Sequence, residues 1–220
     1  MKFNVIVADK SHTMHAEFIC KMMEEAAKKR GTGISKREPD YIKEKMVEGK
    51  AVIAFYEEFI IGFCYIESWD DEKFVANSGL VVHPDYRKTG VARLIKIRTF
   101  ELSKKMFPKA QLFGITTSQA VMKINSDLGY KPATFSELTK SDVFWKGCQG
   151  CENHDILERT NRTMCLCTGM ICDLSKSTGQ EKEKQLAWER FKQFIKWRKG
   201  KKTNTLNKIK NEKKQSSTSL

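Results

Sequence analysis

The sequence predicts a mixed α/β domain in which helices flank a central, mostly antiparallel β-sheet. Stretches rich in β-branched and aromatic residues occur at the N-terminus, between residues 51 and 82, and at 111–117. Stretches with apolar residues at helical spacing alternate with them, at 12–30, 39–48, 91–107 and 118–128. This order of strand, two helices, three strands, helix, strand, helix and strand is typical of a three-layer domain with one sheet.

The first strand is predicted over residues 2–8 and is followed by a helix over 12–30. Four apolar residues recur on that helix at helical spacing: Met14, Phe18, Met22 and Ala26. The glycines of Gly31-Thr32-Gly33 end it. A short second helix is predicted over 39–48, because a proline suits the first turn of a helix.

Three strands are predicted next, and the first two are paired. Residues 51–55 and 59–69 are both apolar, and Glu57-Glu58 between them provides the turn. The third strand, over 74–82, leads directly into a short turn and a basic helix start. These three strands form the predicted centre of the sheet.

The turn after the third of these strands is the most informative part of the chain, because it combines glycine, positive charge and a helix start. Its sequence is His83-Pro84-Asp85-Tyr86-Arg87-Lys88-Thr89-Gly90-Val91-Ala92. A helix N-terminus presents unpaired backbone N–H groups and the positive end of its dipole, which together favour a pyrophosphate. Gly90 lets the backbone approach the phosphates closely, and Arg87 and Lys88 add positive charge.

The elements after this turn continue the alternation. A helix over 91–107 ends before Pro108, a strand follows over 111–117, and another helix over 118–128 leads to Gly129-Tyr130.

The spacing Arg87-x-x-Gly90-x-Ala92 resembles the acyl-CoA signature of the GNAT acyltransferases, and the Leu128-Gly129-Tyr130 turn resembles the end of a GNAT helix. The resemblance covers roughly residues 1–173 and implies a GNAT fold with a splayed sheet, with acetyl-CoA as co-substrate. It implies two groups of contacts: Leu80, Val81 and Val82 on the pantetheine, and Arg87, Lys88, Thr89, Gly90, Val91 and Ala92 on the pyrophosphate.

Acyl transfer to an amine needs a base for the amine, donors for the oxyanion and a proton for the leaving thiolate. Many GNAT enzymes carry a tyrosine acid in the helix before the Leu-Gly-aromatic turn, and the resemblance places Asn125 at that position. An amide is no acid, but it can hydrogen-bond the sulfur or a pantetheine carbonyl. Glu67, near the end of a central strand, is the predicted base, with a solvated carboxylate as the alternative.

Five polar residues are predicted to bind the acceptor. The segment between the first two helices commonly covers the acceptor site in the GNAT fold, and its cations can clamp carboxylates, although a solvated basic loop is the alternative. The candidates are Arg30, Lys36 and Arg37 there, together with Asn77 and Ser78 on the strand beside the cleft.

Four segments, at 30–37, 75–80, 120–125 and 144–148, resemble a bacterial GNAT group associated with arginine biosynthesis and read as glutamate N-acetyltransferases. The resemblance implies L-glutamate as the acceptor. Three alternatives stay open: another amine or peptide as acceptor, succinyl-CoA as donor, and a non-catalytic module that binds CoA or RNA.

The chain has seven cysteines, an odd number that argues against a disulfide framework. Four of them form two close pairs that could bind a structural zinc ion: Cys148 and Cys151, then Cys165 and Cys167. The second pair shares one face if residues 164–172 form a strand. Unliganded thiols and a redox role are the alternatives to zinc.

The net charge of +13 is concentrated in the last segment, since residues 176–220 hold 14 Lys and Arg against 4 Asp and Glu. We therefore predict a domain at 1–175, with a Cys-rich hairpin at 147–173, and a basic appendage at 176–220. Within the appendage, 180–199 is predicted as an amphipathic helix for packing on its own domain, in a homodimer, on a partner or on a membrane surface, and 199–220 as disordered.

The lysine-rich end could bind nucleic acid non-specifically, and nothing in it suggests base recognition. The sequence shows no run of transmembrane length and no signal-peptide pattern, so the expected location is cytoplasmic and the expected partner is a small amino acid.

Overall fold

The computed structural model describes residues 1–31 and 36–176, and Met1–Ser175 form one compact unit. Its strands are β1 (Asn4–Val7), β2 (Ala51–Tyr56), β3 (Phe59–Trp69), β4 (Phe74–Val82), β5 (Gln111–Thr116), β6 (Lys131–Ala133) and β7 (Thr168–Asp173). Its α-helices are α1 (Ala16–Arg30), α2 (Pro39–Val47), α3 (Val91–Met106), α4 (Gln119–Asp127), α5 (Asp142–Lys146) and α6 (His154–Arg159).

The strands of the described residues form one seven-stranded sheet in the order β1-β2-β3-β4-β5-β7-β6. Only the central pair β4–β5 is parallel among these neighbours, and the other pairs are antiparallel. The predicted mixed, mostly antiparallel sheet flanked by helices is therefore confirmed.

The two faces of the sheet are covered by different helices, because successive side chains of a strand point to opposite faces. On β3, Phe63 and Tyr65 pack with residues of α1 and α2, whereas Cys64 and Ile66 pack with residues of α3. Residues of α4 join the α3 side. The domain thus has three layers, with α1 and α2 on one face and α3 and α4 on the other.

The sheet opens between its two parallel strands. β4 pairs with β5 only through Phe74, Val75 and Ala76, whereas its pairing with β3 continues to Val82. From residue 77 onward the backbone of β4 therefore has an edge that faces away from β3 and lacks a strand partner in the described sheet. This opening is the cleft that the GNAT resemblance implies.

The structure corrects the predicted start and buried face of the first helix. Residues Lys10–His15 form a 3₁₀ turn that Asp9 caps, and α1 begins only at Ala16. Met14 is therefore exposed and Phe18 is half exposed, while the buried face of α1 is formed by Ala16, Ile19, Met22, Met23 and Ala26. A spacing of four residues drifts around a helix of 3.6 residues per turn, and the buried set alternates steps of three and four.

The segment between β6 and β7 contains two short helices, α5 and α6, that the sequence pattern did not predict. Their residues Trp145 and Leu157 pack with Ala76 of β4 and Phe113 of β5. Ala76 is paired with Glu67 of β3, so this segment covers the same face of the sheet as α1 and α2. No helix in the two described ranges is long and apolar enough to cross a membrane.

Candidate active site

The turn between β4 and α3 has the backbone conformation of an anion-binding loop. Gly90 is the N-cap of α3 with φ of 92°, and Lys88 also has a positive φ, of 65°. A Cβ atom added at Gly90 would meet nothing within 4 Å, so the backbone there borders open space. Unpaired N–H groups at the start of α3 therefore face a space that a pyrophosphate can enter.

Side-chain hydrogen bonds hold this loop in shape. Thr89 Oγ1 donates to the carbonyl oxygen of Tyr86 at 2.6 Å, and Arg87 Nε donates to that of Val82 at 3.2 Å. The Arg87 bond uses Nε and leaves the Nη edge of the guanidinium for a phosphate. The loop residues predicted from the sequence thus lie together, directly after β4.

Leu80, Val81 and Val82 lie on the part of β4 that has no pairing with β5. Val81 packs on the α1–α2 face, and Leu80 and Val82 pack on the α3 face. Because their side chains take both faces, only their backbone is directed into the cleft, which fits the predicted pairing of this strand with an extended pantetheine chain.

Asn125 of α4 lies on the other side of the opening. Its side chain is 2% exposed, and Nδ2 lies 3.8 Å from Sδ of Met170. A Cβ added at Gly114 of β5 would lie 3.8 Å from the same Nδ2. Oδ1 is buried and has no hydrogen-bond partner among the described residues, and such an atom is costly unless a ligand satisfies it. An open glycine turn, an unpaired strand edge and this orphaned acceptor together fit acetyl-CoA.

A group of charged and aromatic side chains lies on the α1–α2 face of the sheet, where part of the acceptor site was predicted. Arg37 Nε donates to the hydroxyl of Tyr65 at 2.7 Å, and Ser78 of β4 is the register partner of Tyr65, so both side chains lie on this face. The Arg37 guanidinium lies 5.8 Å from the ring centre of Tyr41 and 6.0 Å from that of Tyr65. Burial raises the pKa of Tyr65, so its hydroxyl stays protonated at neutral pH.

Glu67 lies beside this group on β3. Its carboxylate accepts hydrogen bonds from the Tyr41 hydroxyl and from Lys45 Nζ, the latter at 3.2 Å. Burial raises the pKa of Glu67, while the backbone N–H of Ser68 and the charge of Arg37 act in the opposite direction. The structure thus places the predicted base, Arg37 and Ser78 on one face of the sheet.

Two of the predicted acceptor residues lie elsewhere, and one cannot be placed. The side chain of Arg30 is outside the described part of the structure, and Lys36 is exposed and paired with Glu38 at 3.2 Å. The side chain of Asn77 points to the face opposite Glu67 and Arg37: Nδ2 donates to Ser103 Oγ at 2.7 Å, and Oδ1 accepts from Lys96 Nζ at 3.3 Å. The alternation of β4 puts Asn77 and Ser78 on opposite faces.

Tyr41 and Tyr65, the aromatic residues of this group, were not predicted from the sequence. Tyr65 and Glu67 are two residues apart on β3, a spacing that places both on one face, so this signal was readable. Tyr41 belongs to a helix, and only the packing of α2 on the sheet brings it to Glu67.

The four cysteines predicted as zinc ligands lie near one another, but they do not form a metal site. Burial and interactions between neighbouring thiols raise the pKa of Cys148 to about 11 and that of Cys167 to about 12. Within residues 1–31 and 36–176, no group of three or more His, Cys, Asp or Glu side chains is placed to hold a metal ion.

The predicted zinc site is therefore not supported. Cys165 and Cys167 precede β7 instead of lying on it, and with Cys148 they pack against the apolar cluster of Trp145 and Leu157. Burial among apolar side chains favours the neutral thiol, and free Cys then behaves as a small apolar residue.

Comparison with known families agrees with this geometry. Residues 20–105 match the family model described as the acetyltransferase (GNAT) family. That range contains α2, β2, β3, β4, the anion-binding loop and most of α1 and α3. No curated protein sequence matches the chain.

Several solved structures share the fold at low sequence identity. N-acetylglutamate synthase from Neisseria gonorrhoeae, complexed with coenzyme A and N-acetyl-glutamate, matches with a TM-score of 0.57 and 13% identity over 79% of this chain, which spans 35% of that protein. The putative acetyltransferase yncA from Salmonella typhimurium, with its cofactor acetyl-CoA, matches at 0.53 and 14% identity, covering 79% of this chain and 95% of that one. A GNAT-family acetyltransferase from Staphylococcus aureus matches with a TM-score of 0.54 and 13% identity, covering 79% of this chain and 99% of that one.

Proposed function

From a domain that has the GNAT fold and matches the GNAT acetyltransferase family over residues 20–105, we propose that this chain is an acetyl-CoA-dependent N-acetyltransferase that acts on an amino acid, L-glutamate. One observation carries the proposal: the Gly90 loop opens directly onto the unpaired edge of β4, with Asn125 Oδ1 unsatisfied on the far side. A loop for phosphates, an edge for pantetheine and a free acceptor atom form one continuous track.

The binding roles follow from this track. The N-terminus of α3 with Arg87, Lys88 and Thr89 binds the pyrophosphate, and the backbone of residues 80–82 pairs with the pantetheine arm. Asn125 Oδ1 accepts a hydrogen bond from an N–H group of the pantetheine, which supplies the partner that the atom lacks in the described structure.

The chemical step requires a neutral amine. Glu67 accepts one proton of the acceptor ammonium, and the neutral amine nitrogen attacks the thioester carbon. The nitrogen of the tetrahedral intermediate loses its second proton to water, and the carbon–sulfur bond breaks as the intermediate collapses. Backbone N–H groups on the unpaired edge of β4 donate to the oxyanion. The thiolate takes its proton from water, because Asn125 has no acidic proton to give.

Two observations support an acceptor that carries a carboxylate. Arg37 presents a guanidinium on the same face as Glu67 and Ser78, and guanidinium groups bind carboxylates in bidentate geometry. The similar synthase from Neisseria gonorrhoeae is described with N-acetyl-glutamate bound. We also propose a cytoplasmic location, supported by the odd number of cysteines, seven, which argues against a disulfide framework.

The test is thiol release from acetyl-CoA with each amino acid offered in turn, followed by mass analysis of the products. We expect release that depends on L-glutamate, with N-acetylglutamate as the product. Release with a different amine alone would reject glutamate, and release with succinyl-CoA alone would reject the acetyl donor. If no donor and acceptor pair gives thiol release although the protein binds acetyl-CoA, the enzyme proposal is rejected in favour of a binding module.

Arg87→Ala tests the loop in the same assay. It removes a charged contact to phosphate from an exposed loop, so acetyl-CoA affinity should fall about tenfold while the melting temperature stays unchanged. Arg98→Ala is the matched control, since Arg98 pairs with Glu101 on the exposed side of α3. Unchanged affinity in Arg87→Ala would contradict the assigned phosphate site.

A further inference from the structure

Arg37 is held in place by groups that carry no negative charge. Its Nε donates to Tyr65, its Nη1 donates to the backbone oxygen of Lys36 at 3.2 Å, and its guanidinium lies beside two tyrosine rings. Within the described ranges, no Asp or Glu oxygen lies within ion-pair distance of it. The remaining guanidinium N–H groups are thus available for an anion.

The hydroxyl that holds Arg37 is itself fixed. Tyr65 is 1% exposed, and its ring lies in edge-to-face contact with Tyr41, with centroids 5.7 Å apart. A Cβ added at Gly79 of β4 would lie 2.5 Å from Cε1 of Tyr65, so the ring packs directly on the glycine backbone. The Tyr65 hydroxyl is therefore anchored to β4 along the cleft, next to Ser78.

This face carries a carboxylate and a guanidinium, and the carboxylate also pairs with the Lys45 ammonium at 3.2 Å. Glu67 presents a carboxylate and Arg37 a guanidinium, and the two interact electrostatically without forming a direct ion pair. An amino acid that enters between them can direct its ammonium to Glu67 and a carboxylate to Arg37. An amine without a carboxylate leaves Arg37 unsatisfied, which costs affinity.

We propose that Tyr65 is a positioning residue that fixes Arg37 for a carboxylate of the acceptor, so that the pair restricts the acceptors to amines that carry a carboxylate. This inference rests on the proposed function, because it concerns the acceptor side of the same site. Lys36 cannot replace Arg37 in this role, since it is exposed and its ammonium lacks the planar fork of a guanidinium.

Tyr65→Phe is the informative variant, because it keeps the ring on Gly79 and removes only the hydroxyl. We expect the KM for L-glutamate to rise about tenfold, with kcat and the KM for acetyl-CoA nearly unchanged. Tyr56→Phe on β2, whose ring packs with Phe3 and Tyr86, is the matched control and should leave all three constants unchanged. Equal rises in both KM values, or no rise for L-glutamate, would overturn the inference.

Arg37→Ala adds a readout that a purely structural role would not change. L-Glutamate saturation should be lost, and added methylguanidinium should restore part of it, because the free cation can occupy the vacated position. Failure of rescue in a variant with the wild-type melting temperature would count against a direct carboxylate contact.

Calorimetry separates this inference from the proposed function. L-Glutamate is titrated into the CoA-loaded protein, wild type and Arg37→Ala, with no turnover involved. The inference is supported if the wild type binds L-glutamate and Arg37→Ala weakens that binding about tenfold or more. This holds even if no amino acid is acetylated and the proposed function fails. Equal binding by both proteins, or none by the wild type, overturns it.

Discussion

At the scale of single residues, the protonation of Glu67 depends on opposing effects of its surroundings. Burial favours its protonated form, whereas Lys45 and the Tyr41 hydroxyl stabilise the carboxylate. A general base works best when its pKa is raised toward the working pH but its anion still predominates. Burial raises the pKa of Glu67, which distinguishes it from an exposed carboxylate at the end of a strand.

Glu67→Gln should lower kcat by about 10² to 10⁴, because the amide cannot accept the ammonium proton. Burial raises the pKa of Glu67. As the pH is lowered, the wild-type rate should therefore begin to fall at a higher pH than it would with an exposed glutamate as the base. That limb of the pH–rate profile should vanish in the variant. Glu48→Gln is the control, since Glu48 also contacts Lys45, at 3.8 Å. A variant that retains the limb would assign the base elsewhere.

Lys96 gives a prediction about stability, because its ammonium is buried on the α3 face without an acidic partner among the described contacts. It donates to Asn77 and lies 5.3 Å from the ring centre of Tyr130, and burial lowers its pKa below 10.5. The unfolded chain therefore holds this proton up to a higher pH than the folded chain does. The free energy of unfolding should thus increase as the pH rises and Lys96 loses its proton in the folded state.

Urea unfolding measured between about pH 7 and about pH 10 should show the wild type gaining stability relative to Lys96→Met. Lys43→Met is the control, because an ion pair with Asp40 raises the pKa of this exposed lysine. A constant difference between the wild type and Lys96→Met across the range would show that Lys96 titrates normally.

At the scale of the element, the loop between β4 and α3 was the part most open to prediction. Its function depends on local chemistry, a glycine and cations at a helix start, and such chemistry is visible in a short stretch of sequence. The face of a side chain was less visible: Asn77 and Ser78 were predicted together, and the pleat separates them. The chain around α5 and α6 was not predicted, because packing on Phe113 stabilises these short helices more than their own periodicity does.

Gly90→Ala separates the binding role of the loop from its backbone strain. Gly90 and Gly49 both have positive φ, 92° and 66°, and a Cβ at either meets nothing within 4 Å. Alanine should therefore cost each about 1–2 kcal/mol of folding free energy. Only Gly90→Ala should also weaken acetyl-CoA binding, by about tenfold, because its Cβ enters the space that the phosphates need. Calorimetry and urea unfolding measure the two effects, and similar acetyl-CoA affinities would contradict the loop assignment.

At the scale of the whole described unit, the order of helices and strands from β1 to α4 could be predicted and their contacts could not. Alternation and helical spacing report the local environment of each element, so the three-layer sheet followed from them. The proposed acceptor side joins Arg37, Tyr41 and Tyr65 from a loop, a helix and a strand, and only the tertiary fold brings them together. The cysteines were harder to predict: their spacing suggested zinc, which the structure does not support, and three of them, Cys148, Cys165 and Cys167, pack against an apolar cluster.

Hydrogen exchange should reveal the opening of the sheet and its closure. The amides of residues 78–82 that face the cleft should exchange faster than those of residues 52–54 in β2, which pairs on both sides. Acetyl-CoA should slow exchange in 78–82 and leave 52–54 unchanged, because pantetheine pairs with β4. Equal protection in both segments before and after addition would argue against the proposed track.

The opening between β4 and β5 also bears on how this protein avoids aggregation. A strand edge with free backbone groups invites pairing with another polypeptide, and most proteins cover or shorten such edges. Here the edge lies in the middle of the sheet, with the joined residues 74–76 at one end and layers of helices on both faces. A second polypeptide strand with side chains of its own would have to force these layers apart, whereas an unbranched chain without large substituents can slide in. The surrounding protein thus restricts this edge to a narrow, unbranched ligand and excludes a second polypeptide strand.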